Sequence, residues 1–158
     1  MKKTLVAAAV SGLLAVSGAQ AATTNWDVHA PVEVGASFVS GSFMDIFTFT
    51  LASDTSLSTI GSSTESALFG IADPMIWLYK EMGAVDTFIS AYSFDHSFTI
   101  DSLAAGDYYY KVTGITTGST GGVYTLVSST APVPEPETYM MLLGGLGMIG
   151  LMAKRRMS

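Results

Sequence analysis

Asp45 stands between Phe43 and Phe47, and all three share one face of a period-two run that continues through Phe49 to Leu51. A carboxylate on an apolar face is costly unless it is hydrogen-bonded or bound to a metal. Two chemistries therefore fit Asp45. It accepts backbone N–H groups of a neighbouring loop at the entrance of the strand, or it coordinates calcium together with other carboxylates, for which Asp95, Asp101 and Asp107 are the candidates. Their spacing is not that of an EF-hand loop, and the expectation is a structural carboxylate and no cofactor. His29 and His96 are the only histidines. Phe94-Asp95-His96-Ser97 places the residue types of a triad side by side, but Ser and Asp are so frequent here that chance adjacency accounts for it. No G-x-S-x-G or H-E-x-x-H pattern occurs, and no His/Asp cluster has metal-ligand spacing. The chain is read as non-enzymatic, with no catalytic, metal or cofactor residue. Trp77, Tyr79 and Tyr109 either form a sugar-stacking strip on an exposed face or pack between strands.

The elements that must position these residues are strands. The segment is rich in Thr, Ser, Gly, Phe and Tyr, and its short apolar alternations are broken by Gly, Ser and Asp clusters every eight to twelve residues or so, the pattern of an all-β sandwich. Strands are expected over Phe43–Leu51, Ile76–Lys80 after an Asp73-Pro74 turn, Phe88–Tyr92, Ser97–Ile100, Tyr108–Thr113 and Val123–Val127. Gly106-Asp107 reads as a hairpin or tight turn, and 118–122 as a loop. Val28–Val34 reads as an edge strand, the one place where Pro31 is tolerable. Residues 53–66 are polar and ambiguous between strand and loop. The expected fold is a single antiparallel β-sandwich over residues 22–132, jelly-roll-like in arrangement. Its chain of about 110 residues is long enough for one core, and with no cysteine it has no disulfide framework.

Both ends carry a different signature. Lys2 and Lys3, the apolar stretch from Leu5 to Val16 and the small-x-small sequence Ala19-Gln20-Ala21 form an export signal over 1–21, cut between Ala21 and Ala22. This implies delivery through a Sec-type translocon. At the other end, over 133–158, Pro134-Glu135-Pro136 precedes an uncharged run from Tyr139 to Ala153 and the basic cluster Lys154, Arg155 and Arg156. The run is expected to be a transmembrane helix over about 138–153, with 154–158 as a basic tail that stays cytoplasmic. Its fifteen residues reach roughly 22 Å at 1.5 Å each, less than the ~30 Å hydrocarbon core, so a snorkelling Lys154 must extend it. The charge is divided accordingly. From Asp27 to Glu137 lie two lysines, Lys80 and Lys111, and all thirteen carboxylates, for a net charge of −11 over that segment. Such a surface repels nucleic acid and anionic lipid.

The order of motif, apolar run and basic cluster at the very C-terminus resembles the PEP-CTERM sorting signal of Gram-negative bacteria. The resemblance implies a protein held transiently in the inner membrane, then cut by an exosortase-type membrane peptidase and released to the cell surface or the extracellular space. Lys154, Arg155 and Arg156 would be its stop and retention signal. Phe43-Met44-Asp45-Ile46-Phe47, followed by Thr48-Phe49-Thr50-Leu51, looks like the FxDxF family of PEP-CTERM proteins, with Phe43, Asp45 and Phe47 as the family motif. Leu103 to Gly114 is similar to the final hairpin of bacterial pre-peptidase C-terminal domains. Proteins with this tail accompany exopolysaccharide production and biofilm or floc formation. The resemblance thus implies a structural or adhesive role beside exopolysaccharide, with a carbohydrate-binding module or a permanently tail-anchored periplasmic protein as the alternatives.

Overall fold

The inward-facing residues of the strand containing Asp45 determine how two sheets meet. A computed structural model describes residues 21–133 and 136–156; residues 1–20, which hold all but the last residue of the expected export signal, and Pro134, Glu135, Met157 and Ser158 lie outside the described residues. Nine strands precede one helix: β1 (Thr23–Val28), β2 (Val32–Val39), β3 (Ser42–Leu51), β4 (Thr55–Ser63), β5 (Ile71–Lys80), β6 (Thr87–Ser93), β7 (Phe98–Leu103), β8 (Gly106–Thr116), β9 (Gly122–Pro132) and α1 (Pro136–Arg156). They form a five-stranded sheet in the order β1-β3-β8-β5-β6 and a four-stranded sheet in the order β2-β9-β4-β7. The chain is mostly β and sandwich-like.

Side-chain alternation builds the core. Phe43, Phe47, Phe49 and Leu51 of β3, Tyr108, Tyr110 and Val112 of β8, and Ile76 and Leu78 of β5 point inward from the larger sheet. Leu57 of β4 and Tyr124 and Leu126 of β9 meet them from the smaller one. The aromatic side chains are too large for uniform facing positions, so glycine supplies the depth at two of them. A Cβ on Gly35 would lie 2.4 Å from Phe47 Cε1, and one on Gly61 2.7 Å from Ile76 Cδ1.

Three expectations are corrected and one open reading is decided. First, the sandwich is not wholly antiparallel. The segment read as one edge strand divides at Pro31 into β1 and β2, which lie in different sheets, and β1 runs parallel to β3 with Thr23 opposite Ile46. A chain that crosses between layers returns in the same direction, so the parallel pair follows from the crossover. Second, Asp73-Pro74 is not a turn before β5 but a bulge inside it, where the pairing with β8 slips between Ala72 and Met75 and Asp73 takes a φ of 48°. A bulge needs no ladder N–H, which suits proline. Third, Gly106-Asp107 does not close a hairpin: it opens β8, and the corner before it at Ala104-Ala105 joins strands of different sheets. Fourth, the ambiguous 53–66 stretch holds β4, an interior strand whose inward residues are Thr55, Leu57, Thr59 and Gly61. Small polar inward residues hid the alternation that marks a buried strand.

The helix also differs from its expected span. It begins at Pro136 and runs through the basic cluster to Arg156. Proline is favoured at the first helical position because its missing N–H has no partner there in any case, and basic residues complement the carbonyl end of the helix. Met141 and Met148 are 82% and 66% exposed. Among the described residues no helix is long and apolar enough to cross a membrane. The short, glycine-rich uncharged run accounts for that, so a transmembrane span over 138–153 is not borne out by the helix itself.

Candidate functional site

The outward residues of the larger sheet form the first candidate. Trp77 and Tyr79 alternate with buried Ile76 and Leu78 on β5, and Tyr109 alternates with buried Tyr108 and Tyr110 on β8. The register sets Tyr79 opposite Tyr109 on one side and Phe88 on the other, and Trp77 opposite Lys111. All three aromatic residues singled out in the sequence therefore meet on one face, joined by Phe88 and Lys111, which sequence reasoning did not connect. Phe88 is 52% exposed. The rings do not lie flat. Tyr79 stacks on Tyr109 at 5.1 Å with planes 11° apart, and Phe88 meets Tyr79 edge-on at 5.6 Å. The Lys111 ammonium sits 5.0 Å from the Tyr79 ring and 5.1 Å from that of Trp77. Tyr109 donates to Asp86 Oδ2 at 2.9 Å, and burial, then Asp86, pushes its phenol up to about 12. This is a cross-strand cluster whose ring faces are largely used by one another. It presents edges, one ammonium and an exposed Phe88 to solvent.

The second candidate is the inner face around Asp45. Phe43, Asp45 and Phe47 are all buried, Asp45 at 2% exposure. Phe43 stacks on Tyr124, and Phe47 packs on Trp26. Asp45 Oδ1 accepts the backbone N–H of Ala22 at 3.0 Å, and Oδ2 accepts the Tyr124 hydroxyl at 2.5 Å. Burial and the neighbouring carboxylate both raise the Tyr124 phenol far above its ordinary range. Asp95 lies in the turn after β6 with a φ of 62°, Asp101 lies on β7, and Asp107 accepts from Thr50 Oγ1 at 2.6 Å. The four aspartates considered for calcium are not gathered: among the described residues no group of three or more His, Cys, Asp or Glu could hold a metal ion.

The third candidate is a chain of polar groups crossing the core. Thr59 Oγ1 lies 2.6 Å from the Tyr110 hydroxyl, that hydroxyl 2.9 Å from Ser128 Oγ, and Ser128 Oγ 2.8 Å from His29 Nε2. His29 Nδ1 faces the Ala30 carbonyl. A carbonyl only accepts, so Nδ1 carries the proton and Nε2 accepts from Ser128. The donors then run in one direction, from Thr59 through Tyr110 and Ser128 to His29. Burial lowers the His29 pKa from 6.5, against the smaller opposing effects of Ala30 and Glu33. Ser128 and His29 have the spacing of a nucleophile and its base, yet Ser128 is 0% exposed and no substrate reaches it in this packing. His96 Nδ1 faces the Phe94 carbonyl instead, apart from this chain. Beside it, the buried Tyr92 hydroxyl has no hydrogen-bond partner among the described residues.

The tail is the remaining candidate. Of its motif only Pro136 is described, as the first residue of α1; Pro134 and Glu135 lie outside the described residues, and Lys154, Arg155 and Arg156 end the helix. A family model of the PEP-CTERM protein-sorting motif matches residues 132–156. This is a PEP-CTERM protein. It is therefore an exosortase substrate, and its sorting signal implies export and membrane anchoring before processing. No match to it was found among curated proteins. Solved structures similar to this PEP-CTERM protein include the Aeromonas hydrophila periplasmic inhibitor of g-type lysozyme, PliG, at 12% identity and TM-score 0.49, covering 71% of this chain and 100% of that one. The Yersinia pseudotuberculosis-derived mitogen is similar at 15% identity and TM-score 0.47, covering 66% and 90%. The pre-peptidase C-terminal domain of Bacillus anthracis collagenase is similar at 14% identity and TM-score 0.42, covering 73% and 100%.

Proposed function

We propose that this protein is a non-enzymatic surface or extracellular-matrix component, released by exosortase and acting as a structural or adhesive partner of exopolysaccharide. The observation that carries the reading is the sorting motif itself, which begins at Pro132, the last residue of β9. The domain and the signal that sorts it are continuous, so the sandwich is the cargo. The acidic surface and the burial of Ser128, whose hydroxyl meets His29, support a binding or structural role over catalysis. Membership of the FxDxF group is part of the same proposal, supported by the shared burial of Phe43, Asp45 and Phe47.

The test is mass spectrometry of the released protein from its native host. Changing Pro134 and Pro136 to alanine is expected to leave export intact and to block release. Neutralising Lys154, Arg155 and Arg156 is expected to weaken retention or orientation instead. A released species that still ends in Met157-Ser158, or equal release from the proline variant, would favour a permanent tail anchor. The second reading, a carbohydrate-binding module, is favoured by the exposed edge of Phe88 beside Trp77, Tyr79, Tyr109 and Lys111. It predicts that Phe88→Ala and Trp77→Ala abolish retardation of the protein in gels containing the host's exopolysaccharide. Unchanged retardation would remove it.

A further inference from the structure

Asp45 is a buried carboxylate whose two partners among the described residues, the Ala22 amide and the Tyr124 phenol, are both neutral. An ionised carboxylate in such a place lacks a counter-charge, and a buried charge is tolerated when paired. The domain's two lysines are committed elsewhere, Lys80 over Tyr108 and Lys111 between Trp77 and Tyr79. Yet Ala22 is the residue that the expected cut after Ala21 turns into the chain's first. Its position is well defined. Ala22 O accepts from Ile46 N at 2.7 Å, Thr23 and Thr24 pair with Ile46 and Phe47, and Trp26 packs on Phe47, Phe49 and Tyr110.

We propose that Asp45 is the receptor for the new N-terminus, and that export processing converts its neutral contact with Ala22 into a part-buried ion pair that locks β1 against β3. Hydrolysis adds water across the Ala21–Ala22 bond. The hydroxyl goes to the Ala21 carbonyl carbon, which leaves with the signal as a carboxylate after losing its proton. The Ala22 nitrogen takes up protons to become an ammonium, already within hydrogen-bond distance of Asp45 Oδ1. The aspartate of the F-x-D-x-F motif thereby acquires a role beyond packing. The uncut precursor, with an amide at the same point, is the less stable form, as suits a chain that crosses the inner membrane unfolded. Tyr124 from β9, itself facing Ser37 of β2, holds the other carboxylate oxygen and keeps Oδ1 turned to the amine. The inference rests on the export reading, and the experiment separates the two.

The full chain is exported in a Gram-negative host, extracted in mild detergent and compared with two variants. One carries a single glycine inserted between Ala21 and Ala22, so that cleavage leaves an amide at Ala22 and moves the ammonium one residue away. The other is Asp45→Asn. Mass spectrometry of the N-terminus comes first. A chain that does not begin at Ala22 overturns both the cleavage reading and the pairing. With Ala22 first, the wild-type folding constant, followed by tryptophan fluorescence in denaturant, is expected to exceed that of the glycine-extended chain about tenfold, the size of one charge-assisted hydrogen bond. In the Asp45→Asn background the glycine is expected to make no difference. The wild-type α-amine is also expected to react with an amine-specific acylating reagent at pH 8 about tenfold more slowly than that of Asp45→Asn. Should Asp45→Asn not fold, the wild type and the glycine-extended chain still decide by both readouts. Equal stability and equal amine reactivity in these two, with Ala22 first in the wild type, would overturn the pairing and leave the export reading standing.

Discussion

Asp45 and Tyr124 form the most strongly interdependent pair in the core, and replacing each alone and both together tests that. Asp45→Ala leaves the Tyr124 hydroxyl, on a residue 1% exposed, without its carboxylate. An orphaned buried hydroxyl costs about 1–3 kcal/mol. The bonds lost from the carboxylate are offset in part by relief of its own burial, so the orphan sets the size. Ser37 also faces the phenol and can take up part of the loss, which favours the lower half of the range. Tyr124→Phe removes a short charge-assisted bond and is expected to destabilise by about 1.5–3 kcal/mol. The double variant orphans no phenol, so its loss is expected to fall short of the sum of the singles by about 1–2 kcal/mol. Urea unfolding of each variant, with unchanged slopes, measures all three. Strict additivity within about 0.5 kcal/mol would refute the argument, because two groups that stabilise independently have no such cycle.

Three further outcomes follow from the same core. Tyr92→Phe removes a buried hydroxyl that faces Thr59 without a well-formed hydrogen bond and is expected to be neutral or to stabilise by up to about 1 kcal/mol, read as an unchanged or raised melting temperature. Gly35→Ala drives a methyl to 2.4 Å from Phe47 Cε1 and is expected to destabilise by about 1–3 kcal/mol; trimming the ring with Phe47→Leu in the same chain should recover part of the loss. His29 is held neutral, with its pKa below 6.5. The unfolded chain therefore binds the proton more readily, so His29's contribution is complete above about pH 6.5 and is lost as pH falls below it. Melting temperature between pH 7.5 and 5.5 should fall less in His29→Gln than in the wild type.

The large strands and the C-terminal sorting motif were legible because each rests on a strong local signal. From Phe43 to Leu51 every second residue but Asp45 is large and apolar, and Pro134 to Arg156 combines three signals in order. What escaped was non-local. The inward residues of β4 are Thr55, Leu57, Thr59 and Gly61, and a run with one large apolar side chain in four reads as loop until Tyr110 and Phe94 are known to fill the space above it. Thr59 is inward because the Tyr110 hydroxyl accepts its hydrogen bond, and Gly61 because Ile76 and Phe94 leave no room for a side chain. The layer switch at Pro31 and the corner at Ala104-Ala105 were hidden for a related reason. The residues of a turn report a change of direction but not whether the next strand pairs with the last one. Asp45 was legible as a carboxylate needing partners, whereas the identity of those partners, 23 and 79 residues away, was not.

The same contrast explains why the sorting of this protein is clearer than its task. The sorting signal lies in consecutive residues, so its information is local. A binding surface on a sandwich is assembled across strands: Trp77, Phe88, Tyr109 and Lys111 come together only through the registers of β5, β6 and β8. The connection between the two parts is short. Val133, Pro134 and Glu135 are all that separate the end of β9 from the start of α1, about 10 Å of extended chain. A peptidase cleft that needs a longer extended segment must take it from a neighbour. Beyond Thr130, β9 pairs only with β4, through Ala131 opposite Ser56 and Pro132 opposite Thr55, while its pairing with β2 stops at Ser129 opposite Val32. The strand end held on one side opens more easily than any interior part of the sheet. Fraying those two pairs lengthens the accessible segment without disturbing Leu126 or Ser128 in the core, so the domain can stay folded while its tail is cut.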